Sequence, residues 1–409
     1  MAGRSGRNAV TEPIKSPAIE SEKPDAAFHR LRKNLGMSTA TDKLEEQEHR
    51  RVYGLGSFGL ELGIGMVDPV TGQCGLPSLA SMEVAGRPGC YKTGFLDQLI
   101  LSIQRDNSSN CCAVFYSEGY EYKRLKRLGI DTDRLAIYDY KQTDKLSGLA
   151  EQGLDFLCQY SELPEVKLVA LDSVKSMTLR EDAYVVNKKT EHERDFDENA
   201  PPALCARLMT EFIRKWKRKN KNSILFMINQ ISESIGPEYL TGAELRLRTY
   251  GGRFKEHEAD VRCLLTSWKL SDETVHPLFS KDANNFKMGI GLEIQAKIFK
   301  SRFCEKANQQ VISTKFFYGD QSFNRAEQAL DYAEYIGRKD YDNSPVKKIP
   351  GARWQVLGES FHGRPAVLDW VIKTPEARLE LEKFCIQNRE LLWDSSLEVP
   401  INGQNTPKE

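Results

Sequence analysis

The chain has no net charge: 58 lysines and arginines balance 58 aspartates and glutamates over 409 residues. That balance excludes nucleic-acid binding by bulk positive charge, so any such site must come from local clusters. No apolar run approaches the roughly 18 residues that span a membrane. The first residues, Met1 to Arg7, are polar where a secretory leader would be apolar, which predicts a cytoplasmic protein with no membrane role. Nine cysteines are present, but no two stand in Cys-x-x-Cys spacing, which excludes the common zinc and redox motifs. Most lie in apolar segments and read as small buried hydrophobes. Repeats and low-complexity tracts are absent too. What remains is an ordinary globular composition, 40% hydrophobic and 28% charged.

The length exceeds that of one typical domain, and the pattern changes along the chain. Residues 1 to about 25 and the last dozen lack apolar periodicity and are expected to be disordered. Between the first of these and the main body, Ala27, Phe28, Leu31 and Leu35 follow helical spacing up to Gly36, either as a local cap or as a docking arm. From about residue 51 to 337, apolar runs alternate with amphipathic helices, which predicts a mainly parallel sheet covered on both faces. The clearest strands are 111–116, 167–171 and 223–228. One helix starts at Thr93 and aligns Phe95, Leu96, Leu99, Ile100 and Ile103; another aligns Leu204, Leu208, Phe212 and Trp216 and ends in a basic run, 214–219. That run reads first as a solvated helix end and second as a nucleic-acid contact. Residues 338–395, with Trp354, Phe361, Leu368, Trp370 and a helix from Pro375, read as a small α+β domain before a disordered tail, 396–409.

The strongest motif is Gly86-Arg87-Pro88-Gly89-Cys90-Tyr91-Lys92-Thr93, followed by Gly94, between a strand-like run and a helix. It is a P-loop in its required context. Backbone amides at the positive end of a helix wrap phosphates, Lys92 reaches their outer oxygens, and the Thr93 hydroxyl serves Mg²⁺. Tyr91 stands where a glycine is usual, and positive φ there would strain it. Three more residues close strands of the same sheet, where ligands of such folds bind. Asp172 is suited to Mg²⁺, Glu118 to orienting and deprotonating an attacking water, and Gln230 to sensing the terminal phosphate.

These motifs, with Tyr116-Ser117-Glu118, Leu171-Asp172-Ser173, Asn229-Gln230, Gly251-Gly252, Lys300-Ser301-Arg302, Tyr318-Gly319-Asp320 and Gly351-Ala352-Arg353-Trp354, resemble the RecA recombinases in order and spacing from about residue 50 to 390. An aromatic before the P-loop lysine and the Lys-Ser-Arg triplet look most like bacteriophage members, the UvsX type, which would put the protein in a host cytoplasm. The resemblance implies a RecA-type P-loop ATPase core, an N-terminal oligomerisation helix within a flexible arm, 1–50, and the small C-terminal domain. It implies ATP and Mg²⁺ as cofactors and a helical homo-oligomer on single-stranded DNA that pairs it with homologous double-stranded DNA. Single-strand-binding and loader proteins are the accessory partners expected of such a filament. Lys300 and Arg302 would reach a neighbour's γ-phosphate. Two long loops, about 184–202 and 232–251, match the family's DNA-binding loops, and the second brings Arg246, Arg248, Tyr250, Gly251 and Gly252, with Arg253 beyond. On this resemblance the aromatic that would stack on adenine is Tyr120 or Tyr122, with Tyr122 preferred. The rivals are another RecA-fold motor, such as a hexameric helicase, and a scaffold that binds single strands without turnover.

Overall fold

The computed structural model describes residues 30, 32, 34, 38–117, 120–139, 150–177, 202–232, 248–251, 257–270, 291–318 and 322–393. Residues 1–49 form one unit and 50–409 a second. In the first, helix α1 (Ala40–Glu48) is capped by Thr39. Thr39 Oγ1 accepts from the Asp42 amide at 2.9 Å, and Asp42 Oδ2 accepts from the Thr39 amide at 2.7 Å, a reciprocal cap that satisfies two orphan donors. Ala27, Phe28, Leu31 and Leu35, the expected docking helix, lie outside the described residues.

The second unit opens with β1 (Val52–Tyr53), α2 (Phe58–Ile64), β2 (Met66–Val67) and β3 (Cys74–Pro77), whose strands make a small antiparallel sheet. Then follow β4 (Ser81–Gly86), α3 (Lys92–Asp106), β5 (Cys111–Tyr116), α4 (Tyr122–Leu128), β6 (Leu135–Asp139), α5 (Ala150–Tyr160), β7 (Val166–Asp172), α6 (Pro202–Lys219) and β8 (Ile224–Ser232). The chain continues through β9 (Arg248–Thr249), β10 (Val261–Lys269), β11 (Gly291–Ser301), β12 (Val311–Phe317) and β13 (Ser322–Phe323). One sheet runs in the order β13-β12-β11-β10-β4-β8-β7-β5-β6. It is parallel from β10 to β6 and antiparallel from β10 outward. This is the mainly parallel α/β core that the alternating pattern predicts.

Period-two alternation explains the continuous apolar runs in its central strands. Cys112, Val114, Leu168, Ala170, Phe226 and Ile228 face a core built on α3. Their neighbours Ala113, Phe115, Val169, Leu171, Leu225 and Met227 face a second core under α5 and α6. Both faces are therefore dry. The basic end of α6 is largely committed within the fold: Lys215, Lys217 and Lys219 pair with Asp155, Glu258 and Glu162. Seven of the nine cysteines are buried and all nine are free thiols.

Helix α7 (Arg325–Lys339), a sheet of β14 (Val346–Ile349), β15 (Arg353–Val356) and β16 (Glu359–His362), and helices α8 (Arg364–Lys373) and α9 (Pro375–Gln387) complete the chain. A third core joins Ala329, Leu330 and Ile336 of α7 to Trp354, Val367, Val371 and Leu381, and also to Phe58 and Leu62 of α2. The C-terminal layer thus shares apolar surface with the start of the unit.

Candidate nucleotide-binding site

The P-loop links β4 to α3. Gly89 has a φ of 81° and Tyr91 a φ of 61°. Left-handed backbone is free for glycine and strains a tyrosine by about 1–3 kcal/mol. Packing offsets that strain. The Tyr91 ring lies on Phe316 with centroids 3.7 Å apart and planes inclined by 31°. It fills space that Gly94 leaves open, since a Cβ at Gly94 would stand 1.8 Å from the ring. Arg124 holds the other end, donating from Nη2 to the Tyr91 hydroxyl at 3.0 Å. Its Nε pairs with Asp97 Oδ2 at 2.9 Å, and the Tyr120 hydroxyl donates to Asp97 Oδ1 at 2.8 Å. Burial pushes the Asp97 carboxyl up to about 6, against the pull of Arg124 and Tyr120.

Lys92 opens α3, and its ammonium donates to the carbonyls of Gly86 at 3.0 Å and Arg87 at 2.8 Å. Those oxygens occupy donors that suit phosphate. Thr93 Oγ1 donates to Asp172 Oδ2 at 2.7 Å and so joins the start of α3 to the end of β7. Ser117, just before Glu118, is tied to the same point: its hydroxyl donates to the Ser173 carbonyl at 2.7 Å and its amide to the Asp172 carbonyl at 2.7 Å. Glu118 itself lies outside the described residues. A cavity of about 490 Å³ opens over these groups. Pro88, Gly89, Lys92, Thr93, Gly94, Asp172 and Gln230 line it, together with Tyr91, Arg124, Leu292, Phe316 and Tyr318. Cys90 is buried beneath the loop.

The family model for the RecA N-terminal domain matches residues 23–309, well over half the chain and all of this cavity's P-loop and carboxylate machinery. The chain belongs to the RecA family. No individual curated protein matches it. At family level it is therefore a RecA-like ATPase and recombinase, of a kind that generally uses ATP with Mg²⁺, binds DNA and oligomerises. No helix among the described residues is long and apolar enough to cross a membrane. Nor does any group of three or more histidine, cysteine, aspartate or glutamate side chains among them make a metal site alone. Thr93 and Asp172 nevertheless bring a hydroxyl and a carboxylate oxygen to one point. That donor pair fits a hard cation whose other ligands are phosphate and water.

The remaining sequence-derived residues of this RecA-family chain fall in three places. Tyr120 and Tyr122 do not line the cavity: Tyr120 stacks on Tyr116 at 4.5 Å, and the Tyr122 hydroxyl donates to Asp139 at 2.5 Å. Lys300 and Arg302 do not line it either. Lys300 Nζ donates to the His257 carbonyl at 2.7 Å, while Arg302 donates to that carbonyl at 2.8 Å and to Asp260 at 2.9 Å. Burial lowers the Lys300 pKa, and Arg302 and Arg262 lower it further. Of the second loop, Arg246, Gly252 and Arg253 lie outside the described residues. Arg248 falls in β9, which pairs antiparallel with the end of β8. The expectation that Gln230 ends its strand therefore needs correction, because β8 continues to Ser232 on this pairing.

Sequence reasoning did not single out a buried chain beside Gln230. Glu83 of β4 accepts from Asn229 Nδ2 at 2.8 Å and from Arg262 Nε at 2.9 Å. Asn229 Nδ2 also donates to the Tyr250 carbonyl at 2.8 Å, and Gly251 follows with a φ of 88°. The residue next to the candidate phosphate sensor thus touches the far end of the second loop. Asp97 and Arg124 were missed as well. The available signal was a carboxylate set among Phe95, Leu96, Leu99 and Ile100 on the apolar side of α3.

Proposed function

We propose that this protein is a DNA-dependent ATPase that polymerises on single-stranded DNA, pairs it with a homologous duplex and exchanges strands, in the manner of the bacteriophage recombinases. The observation that carries this reading is the convergence of Lys92, Thr93, Asp172 and Gln230 on one cavity in a RecA-family sheet. In it, Lys92 leaves the Gly86 and Arg87 carbonyls for the outer phosphates of ATP. Thr93 and Asp172 hold Mg²⁺, whose contribution is to neutralise charge on those phosphates. Glu118 orients and deprotonates the attacking water. Gln230 senses the terminal phosphate and passes its presence through Asn229 to Tyr250 and the second loop, where Arg246, Arg248, Gly251, Gly252 and Arg253 meet DNA.

Lys300 and Arg302 belong to the neighbour's site in this reading. That neither lines its own chain's cavity supports it, as does the register of Lys300 opposite Arg262 in the β10–β11 pair. Residues 1–50 act as the oligomerisation arm, 51–337 as the ATPase core and 338–395 as the small C-terminal domain, with the tail beyond. A cytoplasm, that of a host cell for a phage protein, is the compartment such chemistry requires. Electron microscopy with ATP and single-stranded DNA, followed by a joint-molecule assay with homologous duplex, tests the proposal. Helical filaments and homology-dependent products are expected. Rings without filaments would favour a hexameric motor, and DNA coating without ATP turnover would favour a passive scaffold.

A further inference from the structure

Resting on the neighbour-site reading above, we propose that Glu83 is a positioning residue that serves the adjoining copy's nucleotide rather than its own, by holding and neutralising Arg262 opposite Lys300. Four adjacent strands carry the row. Glu83 of β4 stands in register with Arg262 of β10, and Arg262 with Lys300 of β11. On its other side β4 pairs with β8, which supplies Asn229. The Glu83 carboxylate divides its oxygens between those neighbours: Oε1 accepts from Asn229 Nδ2 at 2.8 Å and Oε2 from Arg262 Nε at 2.9 Å. Its side chain is 1% exposed, against 20% for Arg262. Met82 and Val84 on either side of it belong to the apolar core under α3, so the polar row lies on the opposite face of the sheet.

Cohesion is a weak reason to bury such a pair, since apolar side chains of similar size hold a sheet together at least as well. Charge placement is a stronger one. Lys300 and Arg302 already share the His257 carbonyl, two cations on one acceptor. Burial disfavours charge on Lys300 first, and Arg302 and Arg262 add to that, while Asp260 and Glu258 work the other way. Glu83 offsets the Arg262 contribution from a dry position, where water does little to screen it. Asn229 fixes the other carboxylate oxygen, and its own Oδ1 accepts from the Gln230 amide at 2.9 Å. The row is thus anchored at the wall of the chain's own cavity and ends at the cations meant for the next.

The competing role for Glu83 is to join β4 to β10 and nothing more, and a mixture of two full-length variants separates the roles. The receiving chain carries Lys300→Ala with Arg302→Ala and keeps its P-loop; the lending chain carries Lys92→Ala and keeps its cations. Glu83→Gln is added to one or to the other, and phosphate release is followed on single-stranded DNA. The glutamine carbonyl still accepts from Asn229, but an amide nitrogen now faces Arg262. In the lender this change is expected to lower turnover of the mixture roughly tenfold, and in the receiver to leave it within about twofold, a difference typical of charges in one network. Adding Arg262→Gln to the Glu83→Gln lender removes the unbalanced cation and is expected to bring turnover back to within about threefold of the parent mixture. Equal losses in lender and receiver would overturn the proposal in favour of the joining role. A loss confined to the receiver, no loss in either, or no recovery in the paired variant would overturn it as well. Should Glu83→Gln fail to fold, Glu83→Asp, which keeps the charge but draws it back from Arg262, takes its place in lender and receiver under the same criteria. A parent mixture without activity removes the neighbour-site reading, and this inference with it.

Discussion

Two buried carboxylate–arginine clusters sit in the second unit, one at the nucleotide cavity and one between the core and the C-terminal layer. Exposure does not distinguish them, since the Arg124 and Arg325 side chains are 26% and 25% exposed. Saturation does. Arg325 pairs with Glu61 at 2.6 Å and grips Glu382 with two nitrogens at 2.7 and 2.9 Å. Arg124 has one carboxylate and one phenol hydroxyl. The Arg325 cluster is closed and welds α2, α7 and α9 together; the Arg124 cluster keeps donor capacity facing a cavity. The same residue types thus serve cohesion in one place and line an open cavity in the other.

Four perturbations test that division, beginning with the largest effect. Lys92→Ala is expected to cut DNA-stimulated ATP turnover at least about 100-fold, the loss typical of a preorganised charge partner, with an unchanged melting temperature. Steady-state phosphate release and calorimetry check both halves. Arg325→Ala acts the opposite way. It leaves the Glu61 carboxylate buried without its cation and Glu382 with Arg378 alone, at a cost of about 3–5 kcal/mol in urea unfolding, while ATP affinity per folded molecule holds. Equal losses of stability in the two arginine clusters would erase the distinction between them.

Gly94→Ala comes next. A methyl group there displaces the Tyr91 ring from Phe316, an overpacking strain of about 1–3 kcal/mol, and equilibrium titration should show weaker ATP binding. The smallest effect is one of pH. The folded-state value of Asp97 is raised to about 6, above the ordinary carboxylate value near 4. The folded chain therefore holds an extra proton between about pH 4 and 6, and stability from this group falls as pH rises through that window. Asp97→Asn is expected to remove this part of the slope in urea unfolding at a series of pH values. In the wild type, ATP affinity should weaken below about pH 6 as Arg124 loses its counter-charge.

How much of this the sequence disclosed follows from the range of the interactions. The parallel core was legible because strands covered on both faces are continuous apolar runs, as 111–116 and 168–171 are. The P-loop was legible because phosphate chemistry fixes residue types at close spacing. Cap chemistry is equally local, yet Thr39 and Asp42, the signature that starts α1, were passed over in an arm read as flexible around one other helix. The lysines of α6 were rightly read as a helix end, but their partners, up to 60 positions away in the case of Asp155, are visible only after folding. The Asp97–Arg124–Tyr91 brace joins residues 27 and 33 positions apart across two helices and a loop, and no local pattern encodes such a meeting. The extension of β8 past Gln230 likewise depends on a backbone partner, Arg248–Thr249, at the far end of the second loop.

The central claim is that a triphosphate bound at Lys92 and Thr93 is hydrolysed with help from an adjoining copy on DNA. Mixing Lys92→Ala chains with a Lys300→Ala, Arg302→Ala double variant and following phosphate release on single-stranded DNA tests it most directly. Each variant alone is expected to be inactive, and the mixture active, because the first lends its cations to the second's intact P-loop. A mixture as inactive as its parts, or a double variant that turns over ATP at the wild-type rate, would contradict the account.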